Sequence, residues 1–291
     1  TKQEVEIIKL LKQKEIEVEE ISITKKDRYI INIYTKKPED NSVIENILTK
    51  VLKEKIVLNE DNSNETNLVY ISDDKYVIGF ATADSSKNQS EVSGDNFVNI
   101  RLKDGKYLIA LSDGIGTGRK ANESSMQALT MLQNLLASGF DKDSSIKLIT
   151  STLISKSEEI FATLDIAIID LYKGTIEFIK SGACPTYIKK NKRVQIIKSN
   201  SLPAGMVNQD NIQVFDTDIQ SEQIMLMCTD GILDSNIEYK NKELWIKYLL
   251  EDIETKNTKK IADIVLNEAI DNNFGKTKDD MSVIVCKFMQ K

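Results

Sequence analysis

From Asn67 onward, short apolar runs alternate with polar turns, and this pattern most limits the folds open to the chain. Runs such as TLDIAIIDL and EQIMLMC have the length of strands, and Lys103–Lys106 (KDGK) is typical of a hairpin turn. Consecutive hairpins argue against a doubly wound parallel sheet, in which a crossover separates successive strands. Helical periodicity appears after Gly118, after about Asp143, and near 240–253 and 258–271. The pattern therefore predicts an α+β fold of antiparallel sheets covered by helices.

The first 58 residues show a different pattern, which predicts a small α/β segment. Two Ile-rich alternating runs flank the charged turn KKDR at 25–28. An amphipathic helix follows, and its apolar stripe consists of Ile44, Ile47, Leu48, Val51 and Leu52. The stretch NEDNSNET at 59–66 lacks large apolar residues and is typical of a linker. We therefore expect a small segment with its linker at 1–66 and a larger domain at 67–291.

The chain contains no histidine, and this absence restricts its chemistry. It removes the Ser–His and Cys–His nucleophile pairs and His-ligated zinc. The three cysteines form neither a metal-binding spacing nor a disulfide framework, which favours a reducing compartment. An enzyme with this composition must rely on carboxylates, lysines, hydroxyls or a bound metal ion.

Charge and hydropathy indicate which partners to expect. The net charge of -6 disfavours nucleic acid, whose phosphates dominate binding affinity. The basic run KKNKR at 189–193 is typical of a solvated hairpin tip. No apolar run has the length of a membrane span, and the chain begins at Thr1 rather than at Met. We therefore expect a soluble, cytoplasmic fragment of a longer protein.

Two strand-like runs end in the same way, with a small hydroxyl residue followed by Asp and Gly. These are LIALSDG, which contains Asp113, and IMLMCTDG, which contains Asp230. Two further acidic sites, Asp95 in SGDNF and the pair Asp279-Asp280, directly precede strand-like runs. Carboxylates that converge at strand ends repel one another unless a cation neutralises them. An all-oxygen ligand set favours Mg²⁺ or Mn²⁺, so the sequence predicts a carboxylate metal site.

The glycines of LIALSDGIGTGRKANESS raise the alternative of a nucleotide-binding loop. The dinucleotide fingerprint requires Gly or Ala where this chain has Arg119. Lys120 lacks the glycine spacing of a P-loop. A histidine-kinase-like ATPase would have Asp-x-Gly-x-Gly, and the glycines here are one position out of step. Spacing therefore disfavours a nucleotide site.

Seven segments occur in the order typical of metal-dependent PPM (PP2C-type) protein phosphatases. They are SGDNF (93–97), ALSDGIGTGRKANESS (110–125), ATLDIAIIDL (162–171), SGACPTYI (181–188), SLPAGM (201–206), CTDGILD (228–234) and DDMSVIV (279–285). The chain most closely resembles the stage II sporulation protein E branch of these phosphatases. The resemblance covers about 67–291, and residues 1–58 are similar to the regulatory segment that precedes the domain in that branch.

The resemblance implies a PP2C-like β-sandwich flanked by helices, with two Mn²⁺ or Mg²⁺ ions at one end. Asp113 would bridge both ions, and the Gly114 carbonyl would bind one of them. Asp230 and Asp279 would complete the other ion's ligands, and Asp95 would bind metal or orient water. Asp280 stays open as an alternative to Asp279. The implied catalytic residues are Asp113 and Asp230.

The chain departs from the eukaryotic pattern at two places. Ile115 occupies the position of a histidine that follows the bridging Asp-Gly in eukaryotic relatives, and no matching phosphate-binding arginine is evident near the N-terminus. The general acid and the phosphate clamp therefore remain open.

The resemblance also implies a substrate and a cellular setting. The substrate would be a phosphoserine on a small anti-anti-sigma protein, whose dephosphorylation activates a sporulation sigma factor. The parent protein would be anchored upstream in the septal membrane, and a homodimer through the regulatory helices is a further expectation. The alternative function is a non-catalytic PP2C-fold scaffold, although retention of all candidate ligands favours the enzyme.

Overall fold

The structure, a computed structural model of the 291-residue chain, describes residues 1–36, 40–87, 92–116, 118–155, 161–204 and 213–291. Thr117 and the last two residues of the SLPAGM segment lie outside these ranges. The chain divides into two compact units, Thr1–Lys75 with Arg101–Lys106 and Tyr76–Ile100 with Tyr107–Lys291. Among the described helices, none combines the length and the apolar character that membrane crossing requires.

The first unit is a four-stranded antiparallel sheet of order β1-β2-β4-β3 with two helices. Its elements are α1 (Lys2–Lys12), β1 (Val18–Lys25), β2 (Tyr29–Thr35), α2 (Asn41–Leu52), β3 (Ile56–Leu58), a short 3-10 helix (Glu60–Asn62) and β4 (Asn67–Ser72). The core joins alternate strand residues such as Ile31 and Ile33 to one face of each helix. In α1 this face contains Ile7 and Leu11, whereas Val5 is exposed. The predicted small α/β segment is confirmed.

Strand β4 lies in the sheet of the first unit, although the sequence boundary assigned Asn67 to the second domain. It pairs with β2 and with β3. Its apolar pattern resembles that of the strands that follow, and such a pattern does not specify the sheet that a strand joins. The compact units therefore divide after Lys75 rather than after Thr66.

The second unit contains two five-stranded sheets, of order β11-β10-β13-β14-β5 and β12-β9-β8-β7-β6. Its strands are β5 (Tyr76–Ser85), β6 (Asp95–Arg101), β7 (Tyr107–Asp113), β8 (Leu164–Asp170), β9 (Thr175–Ser181), β10 (Thr186–Lys190), β11 (Arg193–Ile197), β12 (Gln213–Asp218), β13 (Gln223–Cys228) and β14 (Met281–Gln290). Its helices are α3 (Arg119–Ala137), α4 (Lys142–Ser155), α5 (Asp230–Leu233), α6 (Glu243–Asp252) and α7 (Thr258–Asn272).

The central strands are apolar on both faces, and this explains the layered arrangement. In β14, Ile284 faces the core between the two sheets, while Val283 and Val285 pack with α6 and α7. Helix α3 covers the other sheet by packing on β7. Successive side chains of a strand point to opposite faces, so an unbroken apolar run such as SVIVC suits a doubly covered strand. The predicted antiparallel sandwich flanked by helices is confirmed.

A buried ion pair links the two sheets. Lys180 of β9 is fully buried, and its Nζ donates to Asp165 Oδ1 at 2.6 Å and to the Cys184 carbonyl at 2.8 Å. A third bond, at 2.8 Å, reaches Thr186 Oγ1 on β10 of the facing sheet. Burial raises the pKa of Asp165, and the Lys180 ammonium opposes that rise. All three ammonium hydrogens thus have acceptors. Removing either partner alone would leave the other charge buried without compensation, which strongly destabilises a fold.

We therefore predict that Lys180→Met lowers the free energy of unfolding by about 3–5 kcal/mol, because it leaves Asp165 buried without its counter-ion. Adding Asp165→Leu is expected to recover most of this loss. Urea unfolding followed by fluorescence of Trp245, the single tryptophan, tests the second unit specifically. A double variant no more stable than Lys180→Met would contradict the assignment of the loss to the unpaired Asp165 carboxylate.

Candidate functional site

The ends of four strands bring the acidic segments to one edge of the second unit. Strand β7 ends at Asp113, and β6 beside it in the sheet begins at Asp95. In the facing sheet, β13 pairs with β14; Asp230 follows the end of β13, and Asp279 precedes the start of β14. Because neighbouring strands run antiparallel, the end of one lies beside the start of the next.

The carboxyl groups of this edge share one electrostatic environment. The pKa of Asp113 is raised to about 9, first by burial and then by the charges of Asp95, Asp230, Asp279 and Asp280, in that order of size. The pKa of Asp230 is also raised, first by burial and then by Asp279, while the neighbouring Asp113 side chain opposes that rise. The structure thus brings Asp95, Asp113, Asp230 and Asp279 close enough to repel one another when ionised.

Asp95 is buried and only partly satisfied. Its Oδ2 accepts a hydrogen bond from Thr229 Oγ1 at 2.8 Å, while its buried Oδ1 has no hydrogen-bond partner among the described residues. Burial raises the pKa of Asp95 to about 7, against the opposing effect of the hydroxyls of Ser282 and Thr229. A buried carboxylate oxygen without a donor is the kind of atom that a bound cation satisfies.

Thr229 organises the Asp230 side of the site. It precedes α5 at the N-cap position, yet its hydroxyl makes no capping bond. The hydroxyl instead donates to Asp95 and accepts from the Ser282 amide at 2.9 Å. It therefore joins the ends of β6, β13 and β14 at one atom.

Backbone contacts require glycine after both aspartates. A Cβ on Gly114 would lie 1.9 Å from the carbonyl oxygen of Ala121 in α3. A Cβ on Gly231 would lie 2.0 Å from the carbonyl oxygen of Asp280. No side chain fits at either distance, so each Asp-Gly pair marks a place where two backbone segments touch. The sequence pattern suggested that the Gly114 carbonyl binds metal, and it gave no sign of this steric requirement for glycine.

The two adjacent acids before β14 have different environments. Asp280 is buried, and its carboxylate accepts from the Lys87 and Gly94 amides, each at 2.7 Å. The side chain of Asp279 is 51% exposed and lies 3.9 Å from Lys87 Nζ. Asp280 thus holds the segment before Asp95 in place. Asp279 instead remains available at the surface, and its charge raises the pKa values of Asp113 and Asp230.

The donor set suits a hard divalent cation, since the converging side chains offer only carboxylate oxygens. In the described ranges, no three His, Cys, Asp or Glu side chains are already arranged to hold a metal ion. The strand ends nevertheless place these carboxylates at one edge of the unit. An Asp carboxylate can be reoriented by rotation about its Cα–Cβ bond without backbone movement. The backbone positions therefore determine which carboxylates can converge on one ion.

Several supporting residues were not identified from the sequence. Asn122 Nδ2 in α3 donates to the Ser93 carbonyl at 2.7 Å, and Ser125 Oγ donates to the Gly94 carbonyl at 2.5 Å. Thr163 Oγ1 accepts from the Asp113 amide at 2.9 Å. The repeated hydroxyl before each Asp-Gly was the available signal for Thr229. Nothing in the spacing indicated the contacts from α3.

A small cavity of about 40 Å³ lies behind these aspartates. Asp113, Asp230, Thr163 and Thr229 line it together with Asp165 of the buried ion pair. A cavity of this volume accommodates one or two water molecules with polar partners. The inter-sheet ion pair thus borders the space beneath the site.

Comparison with known proteins shows which family shares this arrangement. The sequence model of the family "Stage II sporulation protein E (SpoIIE)" matches residues 103–289, which is more than half of the chain. The chain belongs to the stage II sporulation protein E family. It is 30% identical to the stage II sporulation protein E of Priestia megaterium over 297 aligned residues, and 30% identical to that of Bacillus subtilis strain 168 over 296.

These alignments cover 98% of this chain but 51% and 36% of the two relatives, so the chain spans about half or less of their length. A solved structure of the PP2C phosphatase domain and a regulatory-domain fragment of SpoIIE from Bacillus subtilis superimposes with a TM-score of 0.76. That match has 28% identity and covers 99% of this chain and 87% of the other. The two-sheet fold is therefore the PP2C fold.

We predict that Gly114→Ala and Gly231→Ala each destabilise the second unit by about 1–3 kcal/mol, because the added methyl group overlaps a backbone oxygen. Gly79→Ala is the matched control, since its Cβ would meet no atom closer than 3.9 Å. Urea unfolding monitored by Trp245 fluorescence measures all three. Gly114→Ala or Gly231→Ala as stable as the control would contradict the close approach.

The two adjacent acids give a second prediction. Asp280→Asn should cost about 1–3 kcal/mol of stability, because one buried amide loses its acceptor. Asp279→Asn should change stability by less than about 0.5 kcal/mol and weaken Mn²⁺ binding measured by calorimetry. The reverse pattern, with Asp280→Asn stable and defective in Mn²⁺ binding, would assign the ligand role to Asp280.

Proposed function

We propose that the chain is a metal-dependent protein serine phosphatase. The observation that carries this proposal is the convergence of mutually repelling carboxyl groups around buried Asp95, whose Oδ1 has no partner among the described residues. Placing several carboxylates close together, one of them buried, opposes folding unless a cation compensates their charge. Family membership supports a PP2C-type activity for this site.

The residues that would hold two Mn²⁺ or Mg²⁺ ions are Asp95, Asp113, Asp230 and Asp279, with the Gly114 carbonyl. Asp113 is the candidate for a bridging ligand, because its carboxyl group interacts with Asp230 and its pKa responds to all the other acids. The exposed position of Asp279 supports its role over Asp280, whose oxygens already accept two backbone amides.

Two divalent ions in such a site supply a nucleophilic water at neutral pH and offset charge on the phosphoryl oxygens. The chain's own contribution is positioning: Thr229 orients Asp95, and Thr163 fixes the backbone of Asp113. Ile115, where eukaryotic relatives carry histidine, is a half-exposed apolar side chain and donates no proton. The reaction therefore proceeds without a histidine general acid.

We further propose that the substrate is a phosphoserine on a small anti-anti-sigma protein and that its dephosphorylation activates a sporulation sigma factor. The names of the curated relatives support a role in sporulation. The proposed location is the cytoplasmic face of the septal membrane, with the anchor in a longer parent protein. Exposed Val5 on α1 supports the proposed homodimer through the regulatory helices.

The test is release of phosphate from the phosphorylated anti-anti-sigma protein in Mn²⁺ and in EDTA. Asp113→Asn and Asp230→Asn are each expected to lower kcat/KM more than about 100-fold, because each removes a candidate metal ligand. Asp218→Asn, an exposed aspartate on β12, is the matched control and should retain activity.

Each alternative outcome has a definite meaning. Full activity in EDTA, or in both ligand variants, would contradict the two-metal proposal. Binding of the phosphoprotein without turnover in Mn²⁺ or Mg²⁺ would instead support the non-catalytic scaffold.

A further inference from the structure

Two segments at the edge of the site expose large apolar side chains. Ile237 follows the α5 helix that begins with Asp230, and it is 76% exposed. Phe274 lies between α7 and Asp279, and it is 83% exposed. These are the two most exposed of the large hydrophobic side chains in the described ranges. We call the segments 234–242 and 273–278 the rim.

The two rim segments are neighbours in space. Asn236 Nδ2 donates to Asn272 Oδ1 at 3.4 Å, which places the residues before Ile237 beside the end of α7. Helix α5 packs on α7 and on β14 as well. The two segments are therefore neighbours, and each is linked through a few residues of chain to a candidate metal ligand, Asp230 or Asp279.

The conformation of Phe274 is unfavourable for its residue type. Its φ is 57°, in the left-handed region that favours glycine or asparagine. It ends α7 with Gly275, whose φ is 73° and whose amide donates to the Ile270 carbonyl at 3.0 Å. An asparagine would fit this cap with less backbone strain and would expose no aromatic ring. Neither helix termination nor core packing explains the phenylalanine.

We propose that Ile237 and Phe274 form the docking surface for the intact phosphoserine protein, an inference that rests on the proposed phosphatase function. A protein whose phosphoserine reaches Asp113 and Asp230 must cover the residues that border them. Exposed Lys276 and Lys278 accompany Phe274 in a segment, 273–278, without acidic residues, and in segment 234–242 Lys240 and Lys242 balance Asp234 and Glu238. The surface therefore fits a partner with an apolar patch beside acidic side chains.

This surface distinguishes an intact protein from a small phosphate ester. A p-nitrophenyl phosphate molecule enters the site without contacting the rim, whereas a folded protein contacts both. Apolar anchors at an interface contribute strongly when they become buried on binding. Loss of the rim side chains thus raises KM for the protein and not for the ester.

The test compares Ile237→Ser and Phe274→Asn with two controls that remove exposed apolar side chains elsewhere. The aliphatic control is Val214→Ser on β12, and the aromatic control is Phe140→Ser after α3. The substrates are the intact phosphorylated anti-anti-sigma protein, with Mn²⁺, and p-nitrophenyl phosphate. The measured quantity is the ratio of kcat/KM for the protein to kcat/KM for the ester.

We expect this ratio to fall about tenfold in each rim variant, through KM, and to stay unchanged in both controls. Phe274→Asn should also unfold at an equal or higher urea concentration, since it relieves the positive φ, and a structural role for Phe274 would give the opposite. An unchanged ratio in the rim variants, or an equal fall in the controls, overturns the inference. Wild-type protein inactive on both substrates would instead refute the proposed function on which it rests.

Discussion

Mutual repulsion between converging carboxyl groups is the interaction around which one edge of the second unit is built. Asp95, Asp113 and Asp230 come from the ends of three strands in two sheets, and burial raises the pKa of each. Bringing these groups together lowers the stability of the fold, because each ionised group loses hydrating water and gains like-charged neighbours. The surrounding structure holds the carboxyl groups in place through hydroxyls and backbone amides, and a cation would make the arrangement favourable.

Close backbone contacts fix where those carboxyl groups lie. Gly114 touches the first turn of α3, and Gly231 touches the backbone before β14. The Lys180–Asp165 pair joins the sheets beneath the same edge without adding net charge there. Asp280 and Thr229 then connect the remaining segments. The candidate metal ligands thus belong to the same few segments that set the packing and the backbone geometry.

The sequence predicted the layered fold well because its signal is local. The unbroken apolar runs of β13 and β14, and the helical periodicity in α6 and α7, depend only on neighbouring residues. The assignment of β4 was different, since strand pairing is a non-local property. Helix α3 shows a similar departure from a purely local pattern, since apolar Met126 is half exposed while Ser124 and Ser125 lie on the buried face.

The sequence indicated the acidic residues of the candidate site but not the residues that hold them in place. Repetition of Asp-Gly at two strand ends identified Asp113 and Asp230, since carboxylates at strand ends leave a chemical pattern in the sequence. The distinction between Asp279 and Asp280 needed three dimensions, because it depends on the Lys87 and Gly94 amides. Hydrogen bonds from α3 to the segment before Asp95 join residues about thirty positions apart, and no spacing rule encodes them.

The central claim is that these carboxylates bind divalent metal ions, and crystallography with Mn²⁺ tests it most directly. Anomalous diffraction from crystals grown with Mn²⁺ should show two peaks at the edge formed by Asp95, Asp113, Asp230 and Asp279, with Asp113 contacting both. Absence of any peak beside Asp113 at saturating Mn²⁺ would contradict the account. A peak held by Asp280 instead of Asp279 would contradict the assignment of the ligands.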